Sequence, residues 1–134
     1  MKNNHPPRQH CNAKSVWLLI CGVLGASAVA LGAVAAHALA DPQAAQSVER
    51  ASNYQLLHVV AILALLALTG RWVELTRWLM LAGVIGFSGA IYAKYLLGLP
   101  AVGALAPFGG SLLILSWLVL AGAGAKGLLW RNND

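Results

Sequence analysis

Asn53-Tyr54-Gln55-Leu56-Leu57-His58 opens a hydrophobic run that closes near Gly70. A segment that only had to cross lipid would not place Asn, Tyr, Gln and His in its first turn and a half. At helical spacing Tyr54 and His58 lie four residues apart on one face, with Gln55 beside them. His37, Ser88, Tyr92 and Lys94 are further polar residues inside apolar runs. In a chain of four alternating spans these side chains gather near one membrane surface. The sequence is organised around that polar layer.

Composition sets the class. Of 134 residues, 59% are hydrophobic and only 10% charged, too little charge to cover a soluble domain of this size. The formal charge is +5, but the basic residues stand at the ends of apolar runs as topology signals. No contiguous basic stripe suits a nucleic acid, so no nucleic-acid partner is expected. Cys11 and Cys21 form neither a disulfide framework nor a zinc knuckle. Cys21 reads as a small core residue.

Residues 1–15 are polar, carry Pro6 and Pro7, and are expected to form a flexible tail. Residues 16–126 form the transmembrane domain, with spans over about 16–37, 53–70, 78–99 and 104–125, and 127–134 form a second tail. The first span has a rival reading as a signal peptide, because Ala38-Leu39-Ala40 precedes Asp41-Pro42. Its apolar run exceeds the usual length of a signal-peptide core, which favours a retained span. Asp41-Pro42 starts a short interfacial helix through residue 53. Trp72 and Trp78 suit an interfacial belt, as does Trp130 beside Arg131 at the end of the chain. Short loops make consecutive spans antiparallel neighbours, so the fold class is all-α, an up-down-up-down four-helix membrane bundle.

Lys2, Arg8, Lys14, Arg71, Arg77, Lys126 and Arg131 fall on one side of that bundle, and Arg50 and Lys94 on the other. The richer side is cytoplasmic, which places both termini there and the polar layer at the outer surface. Lipid supplies no hydrophobic drive between helices, so small residues must let backbones approach. Ala28, Gly32 and Ala36 line one stripe of the first span, and Gly22, Ala26 and Ala30 a neighbouring one. Ala82, Gly86 and Ala90 line the third span, and Gly109, Gly110 and Gly122 lie on the fourth.

His37 and His58 suggest a metal or proton site. Two imidazoles do not complete a zinc shell, and the nearest carboxylates, Asp41 and Glu49, sit in a connection. The favoured reading is structural, each ring bonding a carbonyl or a polar side chain on a neighbouring helix. Lys94 stands near a helix end, where it either snorkels to the interface or faces the bundle as a buried cation. Ser88, Tyr92 and Tyr95 share a face. No Gly-x-Ser-x-Gly elbow or Ser-x-x-Lys pattern surrounds Ser88, so interhelical hydrogen bonding is favoured over nucleophilic chemistry. Pro107 fits a first helical turn, and no Lys-Ser/Thr follows Gly109-Gly110 to make a phosphate loop.

The ordered set Leu31-Gly32-Ala33, Ala36-His37-Ala38-Leu39, Asn53-Tyr54-Gln55-Leu56-Leu57-His58, Phe87-Ser88-Gly89-Ala90-Ile91-Tyr92 and Ala106-Pro107-Phe108-Gly109-Gly110 resembles a known group. It is similar to the small bacterial inner-membrane family labelled domain of unknown function 423, related to the eukaryotic transmembrane protein 256. The resemblance covers roughly residues 16–126. The chain departs from the family pattern at Val34-Ala35-Ala36-His37, where Phe-Gly-Ala-His is commoner, and at Ala106, where a Thr is commoner. The resemblance implies a four-span membrane protein without an established activity, and it counts against signal-peptide cleavage.

No catalytic residue, metal ligand set or cofactor is assigned. The expected role is a non-enzymatic helper subunit or a bundle that binds lipid or a small molecule. An oligomeric transporter or channel is the alternative. Expected partners are the lipid bilayer and either a second copy of the chain or another membrane protein. His37, Asn53, Tyr54, Gln55, His58, Ser88, Tyr92 and Lys94 form the candidate polar cluster. Within it, His37, Gln55, His58 and Tyr92 are expected to share hydrogen bonds near the outer surface, with Lys94 at the rim.

Overall fold

The computed structural model describes residues 8–127, with side chains from residue 13; most of the expected N-terminal tail, most of the C-terminal one, Cys11, Trp130 and Arg131 fall outside what is described of side chains. Every element is helical. Helix α1 spans Arg8–His37 and α2 Pro42–Leu65; α3 spans Arg71–Val84, α4 Ala90–Leu96 and α5 Ala106–Ala125. A π-helical turn, Ile85–Gly89, joins α3 to α4, and a 3-10 turn, Pro100–Leu105, leads into α5. Helix α1 thus starts at Arg8, eight residues ahead of the expected span, so residues 8–15 are helix and not tail.

The short interfacial helix and the second span are one helix. Asp41 caps it, accepting from the amides of Gln43 at 3.3 Å and Ala44 at 3.1 Å, and Pro42 supplies the pre-set first turn. No glycine or proline follows until Gly70, so nothing breaks the helix at Asn53. Ala44, Val48, Ala51, Gln55, His58, Ile62 and Leu65 are buried along it at alternating spacings of four and three. That is the seam of left-handed helix packing, here with two polar residues at core positions.

Among the described residues, three stretches are long and apolar enough to cross a membrane: Ala13–His37, Arg71–Leu96 and Pro100–Ala125. The α2 helix, polar over its first half, is not among them. It lies against α1 on one side and against α3 and α4 on the other, while α5 packs along α3 and the π turn. A membrane bundle of four helical rods results, with one face of its most polar helix packed against the first and third rods.

The apolar core lies at the end of the bundle that holds the start of α1. Trp17 and Cys21 meet Val59, Ile62 and Leu65 of α2, and Val73, Met80 and Leu81 of α3. Toward the opposite end, backbones approach. A Cβ on Gly86 would lie 3.1 Å from the Gly109 Cα, and one on Gly109 would run into the backbone of Gly86 and Phe87. Gly98, at φ +66°, ends α4, and the Leu99 amide reaches back six residues to the Ala93 carbonyl at 3.0 Å, closing the helix end.

Some expected packing residues face elsewhere. Ala28 is buried and Gly32 packs against Ser52, but Ala36 is exposed and Ala35 is buried in its place. Cys21, Ala28 and Ala35, seven apart, follow the supercoiled seam, from which a strict four-residue stripe drifts away. Gly22, Ala26 and Ala30 lie on the far side of the helix from that seam and are exposed. Gly86, Ala90, Gly109 and Gly110 lie at or beside the crossing of the third and fourth rods. Ala82 is exposed, because the π turn inserts a residue that breaks the four-residue phase between it and Ala90. Gly122 is exposed with open space around it.

Candidate functional site

Two polar assemblies flank the middle of α2. On the α1 side, Gln55 is 3% exposed and its Nε2 donates to the Leu24 carbonyl at 2.7 Å and to Ser27 Oγ at 2.8 Å. Ser27 Oγ donates to the same carbonyl at 2.9 Å. Tyr92 donates its hydroxyl hydrogen to Gln55 Oε1 at 2.9 Å. One turn earlier, Ser88 Oγ in the π turn donates to the Ala51 carbonyl at 2.9 Å. These bonds tie α1, α2 and the third rod together through side chains that hydrocarbon would otherwise leave unpaired.

On the α5 side, His58 is 2% exposed. Its Nδ1 lies 2.7 Å from the Tyr54 carbonyl, and Trp117 Nε1 donates to its Nε2 at 3.1 Å. A carbonyl only accepts and an indole only donates. Nδ1 therefore carries the hydrogen and Nε2 offers the lone pair, so each ring nitrogen has its complement. Tyr54 lies nearly parallel to the imidazole at 6.3 Å between centroids and tilts against Phe87 at 5.3 Å.

The expected single layer is thus two assemblies, and its depth changes. Gln55 stands thirteen residues past the start of α2, about 20 Å along the axis. The layer lies at mid-bundle, not at the outer surface, because the helix starts at Pro42 and not at Asn53. His37 is exposed as the last residue of α1, about 15 Å beyond Ser27, and takes no part. Asn53 is exposed beside a surface hollow with Gln46, Glu49 and Arg50. Lys94 is exposed in the last turn of α4, its Nζ 4.8 Å from the Tyr95 ring centroid and its stem folded over Gly103. Of its two readings, the snorkelling one fits.

Sequence reasoning missed Ser27 and Trp117. Both had a signal: a hydroxyl alone in an apolar run, and an indole in mid-span away from the headgroups, each carry a donor that lipid cannot satisfy.

Beside the first assembly a groove of about 180 Å³ opens between α1, α2 and the π turn, lined by Leu24, Leu31, Val84 and Ile85 with Ser27, Gln55 and Tyr92 at its floor. The floor has a definite polarity. Every hydrogen on the Ser27, Gln55 and Tyr92 side chains that can be donated is already engaged. Only lone pairs remain, on Tyr92 Oη and Gln55 Oε1. Among the described residues no group of three or more His, Cys, Asp or Glu could hold a metal.

Residues 31–110 match the family model described as protein of unknown function, DUF423. A UPF0382 membrane protein of Staphylococcus saprophyticus is 36% identical over 109 residues, covering 76% of this chain and 91% of that one. One from Haemophilus influenzae is 32% identical over 115 residues, covering 81% and 92%. One from Bacillus subtilis is 28% identical over 119 residues, covering 83% and 97%. No solved structure matches.

Proposed function

For a chain that belongs to the DUF423 family of membrane proteins, we propose non-enzymatic binding of a small membrane-dissolved molecule that carries a hydroxyl or amine group. The observation that carries this reading is the groove beside Ser27, Gln55 and Tyr92, apolar along its walls and presenting only acceptors at its floor. An acyl chain fills the walls, and a donor at mid-bilayer depth finds there what lipid does not offer. An ether or ester oxygen in the same place would face lone pairs.

The protein works in this reading from the bacterial inner membrane, with the face bearing Lys14, Arg71, Arg77 and Lys126 toward the cytoplasm. Reporter fusions after residue 134 and within residues 41–50 test that orientation; outward activity from the first fusion reverses it. Crosslinking in native membranes distinguishes a bundle acting alone from an oligomeric pore or a subunit held by another membrane protein.

The binding test uses the full chain in nanodiscs with hexadecanol and its methyl ether as probes. The alcohol is expected to bind about tenfold more tightly, the ratio set by one hydrogen bond left unmade in an apolar site. The double variant Gln55→Leu/Tyr92→Phe should erase the difference. Equal binding of the two probes overturns the donor chemistry, and binding of neither overturns the groove.

A further inference from the structure

A second hollow, of about 190 Å³, lies at the other level of the bundle, between the first turns of described α1 side chains, the α2–α3 turn and the start of α3. Lys14 is thirteen residues before Ser27, about 20 Å along α1, so this hollow is separate from the groove. Lys14, Trp17, Thr69, Gly70, Glu74 and Arg77 supply its polar and aromatic wall, with Leu66 and Leu68 behind.

Arg77 is the unusual member. Its side chain is only 12% exposed, and its guanidinium lies 5.4 Å from the Trp17 ring centroid. Its Nη2 is 3.8 Å from the Glu74 carboxylate, which is itself 58% exposed. Its Nε is buried without a hydrogen-bond partner. A guanidinium has five donors, and this one has a single distant anion on a largely solvated side chain. Burying a cation so poorly paired is costly.

The backbone adds to the positive field. Helix α3 starts from Gly70 without a side-chain cap, and its first intrahelical bond runs from the Glu74 amide to the Gly70 carbonyl at 3.0 Å. The amides before Glu74 point out of the helix end into this region, at the positive pole of the dipole. Lys14 brings a second, exposed cation, and Thr69 a hydroxyl donor.

We propose that this hollow binds a phosphate oxyanion, supplied in the membrane by the headgroup of an anionic phospholipid. Arg77 grips the phosphate with its fork, Lys14 closes over it as a point charge, and Glu74 swings to water. Trp17, Leu66 and Leu68 receive the start of the acyl chain. The basic face of the bundle is where such lipids concentrate if it faces the cytoplasm.

The test reconstitutes the full chain in phosphatidylcholine nanodiscs with and without phosphatidylglycerol, and follows retained lipid by native mass spectrometry and unfolding temperature. Retention of phosphatidylglycerol over phosphatidylcholine and a higher unfolding temperature with it are expected. Lys14→Gln/Thr69→Val should lower phosphatidylglycerol retention about tenfold, the cost of one charge-assisted bond and its neighbour. Lys126→Gln, on the same face but outside the hollow, should leave it unchanged. Arg77→Lys keeps the charge without the fork and should fall between them. Inorganic phosphate added to lipid-free protein in detergent separates the sources: stabilisation lost in the Lys14→Gln/Thr69→Val variant assigns the same site to the free ion as well. Equal retention of the two lipids overturns the proposal, as does a loss in Lys126→Gln as large as that in the Lys14 variant.

Discussion

The two helix hairpins of this bundle are joined by different means. The third rod and α5 meet at Gly86 and Gly109, backbone against backbone, where neither glycine leaves room for a methyl group. Helices α1 and α2 meet across hydrogen bonds from Gln55 to the Leu24 carbonyl and to Ser27 Oγ. In lipid both means are available, close packing and polar bonding, because hydrophobic burial adds nothing between helices. Their tolerances differ. A glycine contact fails by collision and abruptly, whereas a polar contact fails by a few tenths of a kcal/mol per bond lost.

The sharpest way to break the contrast is Gly109→Ala. Its Cβ meets main chain, which cannot yield as a side chain does, so a loss of about 3 kcal/mol is expected in reversible unfolding, the upper part of the overpacking range. Next in size is Gln55→Leu, which removes three bonds and leaves Tyr92 and Ser27 to find other partners. A loss of about 2 kcal/mol follows from bonds averaging about 0.6 kcal/mol each. Tyr92→Phe combined with it in a cycle should show coupling of about 0.6 kcal/mol. Trp117→Phe should cost about 0.6 kcal/mol and couple to His58→Ala in the same way. His37→Ala and His58→Ala should instead add, since the two rings share no bond. Smallest of all is Gly22→Ala, exposed with nothing near its Cβ, at less than about 0.5 kcal/mol. A loss at Gly22 comparable to that at Gly109 would mean that glycine matters here for its flexibility and not for contact.

Much of this was legible in the sequence, and the gaps have causes. The apolar runs and short turns spoke for four antiparallel rods, and Gln55, His58, Ser88 and Tyr92 stood out as polar residues with nowhere to go in lipid. Their depth was not legible, because it depends on where α2 begins. Asp41-Pro42 announced that start, but the polarity of residues 43–53 suggested a separate interfacial helix where one helix in fact runs on without a break to Leu65. The split into two assemblies was hidden because it depends on Ser27 and Trp117, each single in its run. The small-residue stripes were half legible. A four-residue repeat in sequence says that backbones approach, whereas the seam actually used follows sevens. The π turn left no mark at all, since Gly86 and Gly89 read equally well as ordinary small residues of a membrane helix.

That turn makes the third rod a phase-shifted object. An extra residue between Val84 and Ala90 rotates everything beyond it by about 100° relative to an uninterrupted helix. Ahead of the turn, the rod's phase is set by Gly83 against Leu113; beyond it, by Tyr92 against Gln55. A single-residue deletion within Ile85–Gly89 would leave length, composition and hydropathy almost untouched. It would also swing the Tyr92 hydroxyl a quarter-turn and more off its acceptor, uncoupling one half of the rod from the other. Insertions and deletions, usually harmless only in loops, are here as consequential in mid-membrane as the loss of a contact residue.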